Sequence, residues 1–146
     1  CASNCSSPLM KELQNNNIQE TQFHTDAKEI KVHAHCYQKA LGNPSDTFKI
    51  LNLPKNYNVR MLNTGCCGMA GSFGYEEEHY DTSMKVAEER LFPSVRNIGY
   101  DVVIAANGTS CRHQIKDGTQ RESLHPVSIL NAALIKKRLV KGNLKL

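Results

Sequence analysis

The stretch Asp101-Val102-Val103-Ile104-Ala105-Ala106 places five apolar residues in a row after a single acid. A strand with one wet face alternates apolar and polar side chains. A short strand of unbroken hydrocarbon must be covered on both faces, and a parallel sheet with helices above and below does this. A third predicted strand of this type therefore constrains the fold more than any other segment. It is also far shorter than the roughly 18 apolar residues of a membrane span, and no short apolar block follows a basic start as in a signal peptide.

The rest of the chain supplies the partners. Ile30, Val32 and Ala34 alternate with Lys31 and His33, which predicts a first strand from Glu29. His35 to Leu41 reads as a helical turn closed by Gly42-Asn43-Pro44, and Ser45 to Leu51 as a second short helix before Pro54. Tyr57, Val59, Met61 and Leu62 form a second strand. Met84, Ala87, Leu91 and Val95 recur at helical spacing, predicting a long helix from His79 to about Arg96, with Glu76, Glu77 and Glu78 at its positive end. Further helices are expected from near Cys111 and from Val127 to about Leu139, the latter with Ser123 as cap and Pro126 in the first turn. This order predicts an α/β fold in three layers, with a mainly parallel sheet of about four strands flanked by helices. Residues 1–28 are polar and read as an approach segment. Residues 29–146 read as the domain proper.

Composition narrows the function classes. The chain has 146 residues and a net charge of +4, with acids and bases interleaved, which fits one soluble domain and is too weak a charge for a nucleic-acid footprint. The basic residues Lys136, Lys137, Arg138, Lys141 and Lys145 read as the solvated end of a helix. Six cysteines stand at positions 1, 5, 36, 66, 67 and 111. A vicinal pair in an α/β domain of this length does not resemble a disulfide-stapled secreted module, so a reducing, cytoplasmic setting is expected. An opening Cys1 in place of methionine predicts a fragment of a longer protein.

Four of the cysteines converge. Cys36 follows the first strand, Cys66 and Cys67 the second and Cys111 the third, so each lies beyond the carboxyl end of a predicted strand, the edge where parallel sheets bind ligands. Thiols separated by 30, 1 and 44 positions thus become neighbours. Cys36 and Cys111 also begin helices, which favours thiolate. Such a donor set suits zinc or an iron–sulfur cluster. Consecutive side chains point apart, and two metals of one cluster accommodate that divergence better than a single zinc does; a vicinal Cys66–Cys67 disulfide is the metal-free alternative. Cys1 and Cys5 carry no such argument.

Around Cys66 and Cys67, glycines recur at positions 65, 68, 71 and 74, a loop built for close backbone approach. Gly68 is expected to help cradle the bound group, and Met69 and Phe73 to limit water. His35 is a candidate hydrogen-bond donor to it. Arg112, His113 and Gln114 follow Cys111 where a cation or amide would reach a cluster or an anionic substrate. His125 beside Pro126 reads as a turn or cap residue, and Tyr75 and His79 as candidates for the same edge.

The ordered set His35-Cys36, Cys66-Cys67-Gly68 with Gly71, and Cys111 resembles the cysteine-rich CCG domain. That domain occurs twice in one of the subunits of heterodisulfide reductase and in the iron–sulfur subunits of glycolate oxidase, anaerobic glycerol-3-phosphate dehydrogenase and lactate-utilisation proteins. The stretches from Thr64 to Glu76 and from Gly108 to Ile115, with His125-Pro126, are similar to the C-terminal part of fused proteins that join an FAD-linked oxidase domain to an iron–sulfur module. The resemblance spans roughly residues 31–130. It implies a redox domain whose Cys36, Cys66, Cys67 and Cys111 hold an iron–sulfur cluster of the 4Fe–4S type, or zinc in some members. Electrons would come from an FAD-dependent oxidation of a glycolate- or D-lactate-like 2-hydroxy acid. FAD would belong to the parent protein, the partners would be its FAD-linked oxidase and ferredoxin-like domains, and any membrane association would run through other domains. The fragment alone is expected not to catalyse. In the family the last ligands form Cys-x-x-Cys; here Gly108 occupies the first of those positions, which argues against a five-cysteine centre.

Overall fold

A computed structural model describes residues 17–41 and 44–135, with positions 8, 11, 12 and 15. Cys1, Cys5 and the basic residues from Lys136 onward lie outside the described residues, as does the last part of the helix expected to reach Leu139.

Three strands form the sheet: β1 (Lys28–His33), β2 (Tyr57–Met61) and β3 (Val103–Ala106). All pairings are parallel, in the order β2-β1-β3. The hydrocarbon run of β3 and the alternation of β1 and β2 thus produce the expected strands. Where a fourth was expected, Leu124 alone bridges β3 at Ala105 in parallel, donating to the Ile104 carbonyl at 2.8 Å and accepting from the Ala106 amide at 2.9 Å. Pairing cannot extend past it, because Pro126 has no N–H and already opens a helix.

Among the described residues five α-helices cover the sheet: α1 (Cys36–Leu41), α2 (Pro44–Leu51), α3 (Glu77–Arg96), α4 (Thr109–Thr119) and α5 (Pro126–Ala133). Along β1, Ile30 and Val32 point to one side, where they join Ile50 and Leu51 of α2 and Ile129, Leu130 and Ala133 of α5 in one core cluster. On β3, Ala105 belongs to that cluster, while Ile104 and Ala106 pack on the other side with Ala87, Leu91, Phe92 and Val95 of α3 and Ile115 of α4. The sheet is thus the middle of three layers. Helices α3 and α4 approach closely at Gly118, where any Cβ would overlap the Phe92 ring.

Phe23, in the polar N-terminal segment, is buried in the first cluster and bridges Leu134. The cap of α5 is His125, whose side chain accepts from the Val127 amide at 3.2 Å. This corrects the assignment to Ser123, whose hydroxyl is buried without a hydrogen-bond partner two residues upstream. Among the described residues no helix is long and apolar enough to cross a membrane.

Candidate functional site

The strand order reverses on either side of β1, and the carboxyl edge between β1 and β3 is the position at which parallel sheets with such a reversal bind ligands. Cys36 is the first residue of α1 after β1, Cys66 and Cys67 lie in the loop after β2, and Cys111 lies in the first turn of α4 after β3. All four thiols are free.

They associate in two pairs. Cys67 and Cys111 are buried, 3% and 0% exposed, and the Cys111 Sγ donates to the Cys67 Sγ at 3.3 Å. Cys66, at the surface, lies against half-buried Cys36 and accepts the Gly68 amide at 3.3 Å. The vicinal residues therefore face different partners, as their alternation along the backbone requires.

The inner contact drives the two thiols apart in acidity. The Cys111 thiol hydrogen bond is the largest influence holding Cys67 down, at about 4, aided by His33 and the Met69 amide and opposed by burial. The same hydrogen bond and burial push Cys111 far upward. The contact therefore favours thiolate on Cys67, with Cys111 as its hydrogen-bond donor. Burial raises the Cys66 thiol, with the Gly68 amide opposing and the Cys36 and Cys67 sulfurs adding to the rise.

The glycine loop holds the pairs in place. Gly68 takes φ +83°, and a Cβ there would overlap the Ser83 carbonyl oxygen of α3. Gly74 has no room either, with Met69 Sδ 2.6 Å from its would-be Cβ. Ser83 anchors this contact: its hydroxyl donates to Met69 Sδ at 3.6 Å and accepts from Gln114 Nε2 at 2.8 Å. Gln114 thus braces α4 against α3 from within the core rather than facing a substrate.

His35 stands beside Cys111. A Cβ on Gly108 would lie 2.6 Å from His35 Cδ2 and 3.1 Å from Cys111 Sγ, so a cysteine side chain at 108 would collide with the imidazole. That gives the glycine a physical reason. Arg112 spends its guanidinium on the carbonyls of Ala106 and Asn107, both at 2.9 Å, and on the Thr109 hydroxyl at 3.1 Å. His113 Nδ1 meets the Tyr75 hydroxyl at 2.6 Å on the rim, and His79 stacks on Phe73 at 4.0 Å.

Sequence reasoning favoured His35 over His33 and missed Thr64. His33 is fully buried at the end of β1, with Nδ1 2.6 Å from Thr64 Oγ1 and Nε2 buried without a hydrogen-bond partner. A histidine on the face of a central strand opposite Ile30 and Val32, just ahead of the first of the four cysteines, was the available signal.

The donor set is tested by its spacing. Four sulfurs about 2.3 Å from a single tetrahedral zinc lie about 3.8 Å from one another. Among the described residues the only three potential ligand atoms mutually within 4.8 Å belong to Glu76, Glu78 and His79 on the surface, so no three of the four sulfurs are that close. Two thiol pairs, a backbone N–H directed at sulfur and an orphaned buried imidazole nitrogen make a donor set suited to a sulfur-ligated metal centre.

The family model for the cysteine-rich domain named CCG matches residues 30–116. The chain is 30% identical over 105 residues to a subunit of the anaerobic glycerol-3-phosphate dehydrogenase of Escherichia coli, covering 72% of this chain and 26% of that protein. It is 29% identical over 103 residues to D-2-hydroxyglutarate dehydrogenase of Pseudomonas putida, covering 69% and 10%, and 26% identical over 124 residues to that of Pantoea ananatis, covering 84% and 12%. The chain thus spans about a quarter or less of these relatives. No solved structure matches it.

Proposed function

Since this chain belongs to the cysteine-rich CCG domain family, we propose that it is the redox domain of an FAD-linked, iron–sulfur oxidoreductase acting on a 2-hydroxy acid of the glycolate or D-lactate type. Cys36, Cys66, Cys67 and Cys111 would hold an iron–sulfur cluster of the 4Fe–4S type. The observation that carries this reading is the meeting of the four cysteines as two thiol pairs at one sheet edge. Relatives named as dehydrogenases, of which the chain covers only a part, support a place within a larger oxidoreductase.

When bound, the cluster supplies one-electron transfer. The chain's residues do the rest. Cys111 and His33 both favour the thiolate form of Cys67, the form that binds metal. The Gly68 amide donates to Cys66. Buried Met69, supported by Ser83, closes the inner side to water. The exposed rim at Cys66 is where electrons would enter or leave, facing the FAD-linked oxidase domain or a ferredoxin-like domain of the parent protein. Four free thiols suit a cytoplasmic location.

Anaerobic reconstitution of the intact protein, with iron and sulfide analysis and EPR, tests the assignment. A cluster lost on Cys67→Ser is expected; no cluster, or one indifferent to that change, would sink it. Stoichiometric zinc with four sulfur ligands would instead support a structural docking module. The 3.3 Å inner contact favours one further reading, a metal-free dithiol formed by Cys67 and Cys111 rather than by the vicinal pair. Peptide mapping after mild oxidation distinguishes the two linkages.

A further inference from the structure

We propose that His33 is a positioning residue for the Cys67 sulfur: Thr64 fixes the imidazole tautomer through Nδ1, and the Nε2–H so defined is directed at the sulfur, where it stabilises negative charge on the reduced centre. This deepens the reading above and rests on it.

His33 ends the central strand and is completely buried. Strand alternation turns it away from Ile30 and Val32 and toward the layer that contains Cys67. Its Nδ1 lies 2.6 Å from Thr64 Oγ1. Thr64 is itself buried, and its carbonyl accepts the Lys39 ammonium at 2.7 Å, which holds the residue in place. Two tautomers are available. If Nδ1 carried the proton, Nε2 would turn a bare lone pair toward the layer that holds the electron-rich Cys67 sulfur. If the Thr64 hydroxyl donates to Nδ1, the proton sits on Nε2 and points toward negative charge. The second arrangement removes a repulsion and supplies a donor.

The orphaned atom points the same way. Nε2 has no hydrogen-bond partner in the protein, and leaving a buried donor unsatisfied is costly. At the end of a buried strand an aliphatic residue would avoid that cost. An anionic sulfur beside the ring also removes it, and only while the site carries negative charge. Hydrogen bonds to ligand sulfur favour the more negative, reduced state, so the imidazole sets the potential without being a ligand.

Two measurements on the intact protein test the proposal. In the reduced, metal-free form with 15N-labelled histidine, long-range 1H–15N spectra should show His33 as the Nε2–H tautomer, and Thr64→Val should abolish that single preference. A proton on Nδ1 overturns the proposal. After reconstitution with iron and sulfide, an EPR-monitored redox titration should show His33→Leu at full iron content with its reduction equilibrium shifted about tenfold toward the oxidised form, 59 mV for one electron. Thr64→Val should shift it the same way by less, and His33→Gln, which keeps a donor, should recover part of it. An unchanged potential at full loading overturns the proposal and leaves the cluster assignment standing, and lost loading at unchanged potential does the same by showing a purely structural role. A wild-type protein that takes up no iron overturns the cluster assignment and this role with it.

Discussion

On the α2/α5 side of the sheet the buried cluster is Ile30, Val32, Ile50, Leu51, Val59, Ile129 and Leu130 with two aromatic rings, Phe23 and Tyr57. On the α3/α4 side, Leu91, Phe92 and Ile115 share the interior with two thiols and with Ser83, Gln114 and His33. Both sides exclude water equally well. They differ in what exclusion is for. The first gains from burial in proportion to apolar area and tolerates repacking. The second buries polar groups whose value depends on each finding its partner, so its geometry is specified more tightly.

This contrast can be broken by substitution. Gly68→Ala should have the largest effect, destabilising by more than about 3 kcal/mol in urea unfolding, since it combines an unfavourable positive φ with overlap on the Ser83 backbone; it should also disturb Cys66, measured as its alkylation rate. Ile30→Ala should cost about 3 kcal/mol through a cavity on the hydrocarbon side, yet leave Cys66 alkylation in the folded protein unchanged. A change there would show the two sides to be coupled. Ser83→Ala should cost about 1–2 kcal/mol by orphaning the Gln114 amide, and Ser83→Thr should fail to restore it if the loop contact is as close as described.

The smallest effect belongs to the α5 cap. His125 accepts a backbone hydrogen bond and so must be neutral, and burial together with nearby Arg112 lowers its pKa below the usual histidine value. A lowered folded-state pKa contributes stability that is present above the unfolded value near 6.5 and is lost as pH falls through the folded value. His125→Asn keeps a cap that does not titrate. The wild type should therefore match the variant above pH 7 and fall behind it as pH drops well below 6.

Much of the site could be read from the chain because two short-range rules overlap. Hydrophobic period locates strands, and each of the four cysteines follows a strand end within a few residues. The glycine spacing likewise announced a loop packed against its neighbours, although only Gly68 and Gly71 take positive φ, while Gly74 is needed for room. Residues whose roles depend on what faces them were harder. Arg112 and Gln114 looked like contacts for a cluster or an anionic substrate; Arg112 is committed to backbone carbonyls and Gln114 is buried between helices. Ser123 had the better composition for a cap, but the chain pairs at Leu124 with β3 and begins the helix only after that bridge, which leaves the role to His125.

What the sequence by itself determined is the order of elements, the parallel sheet demanded by a strand with no polar face, and the delivery of four thiols to one edge. These follow from periodicity and chain direction, which are local properties. Only the tertiary structure decided that Cys67 pairs with Cys111 and Cys66 with Cys36, that His35 fills the space a side chain at 108 would need, and that buried His33 meets Thr64. Those outcomes depend on distances between residues up to 73 positions apart in the chain, set by how α3 and α4 close over the sheet, and no pattern within one segment encodes them.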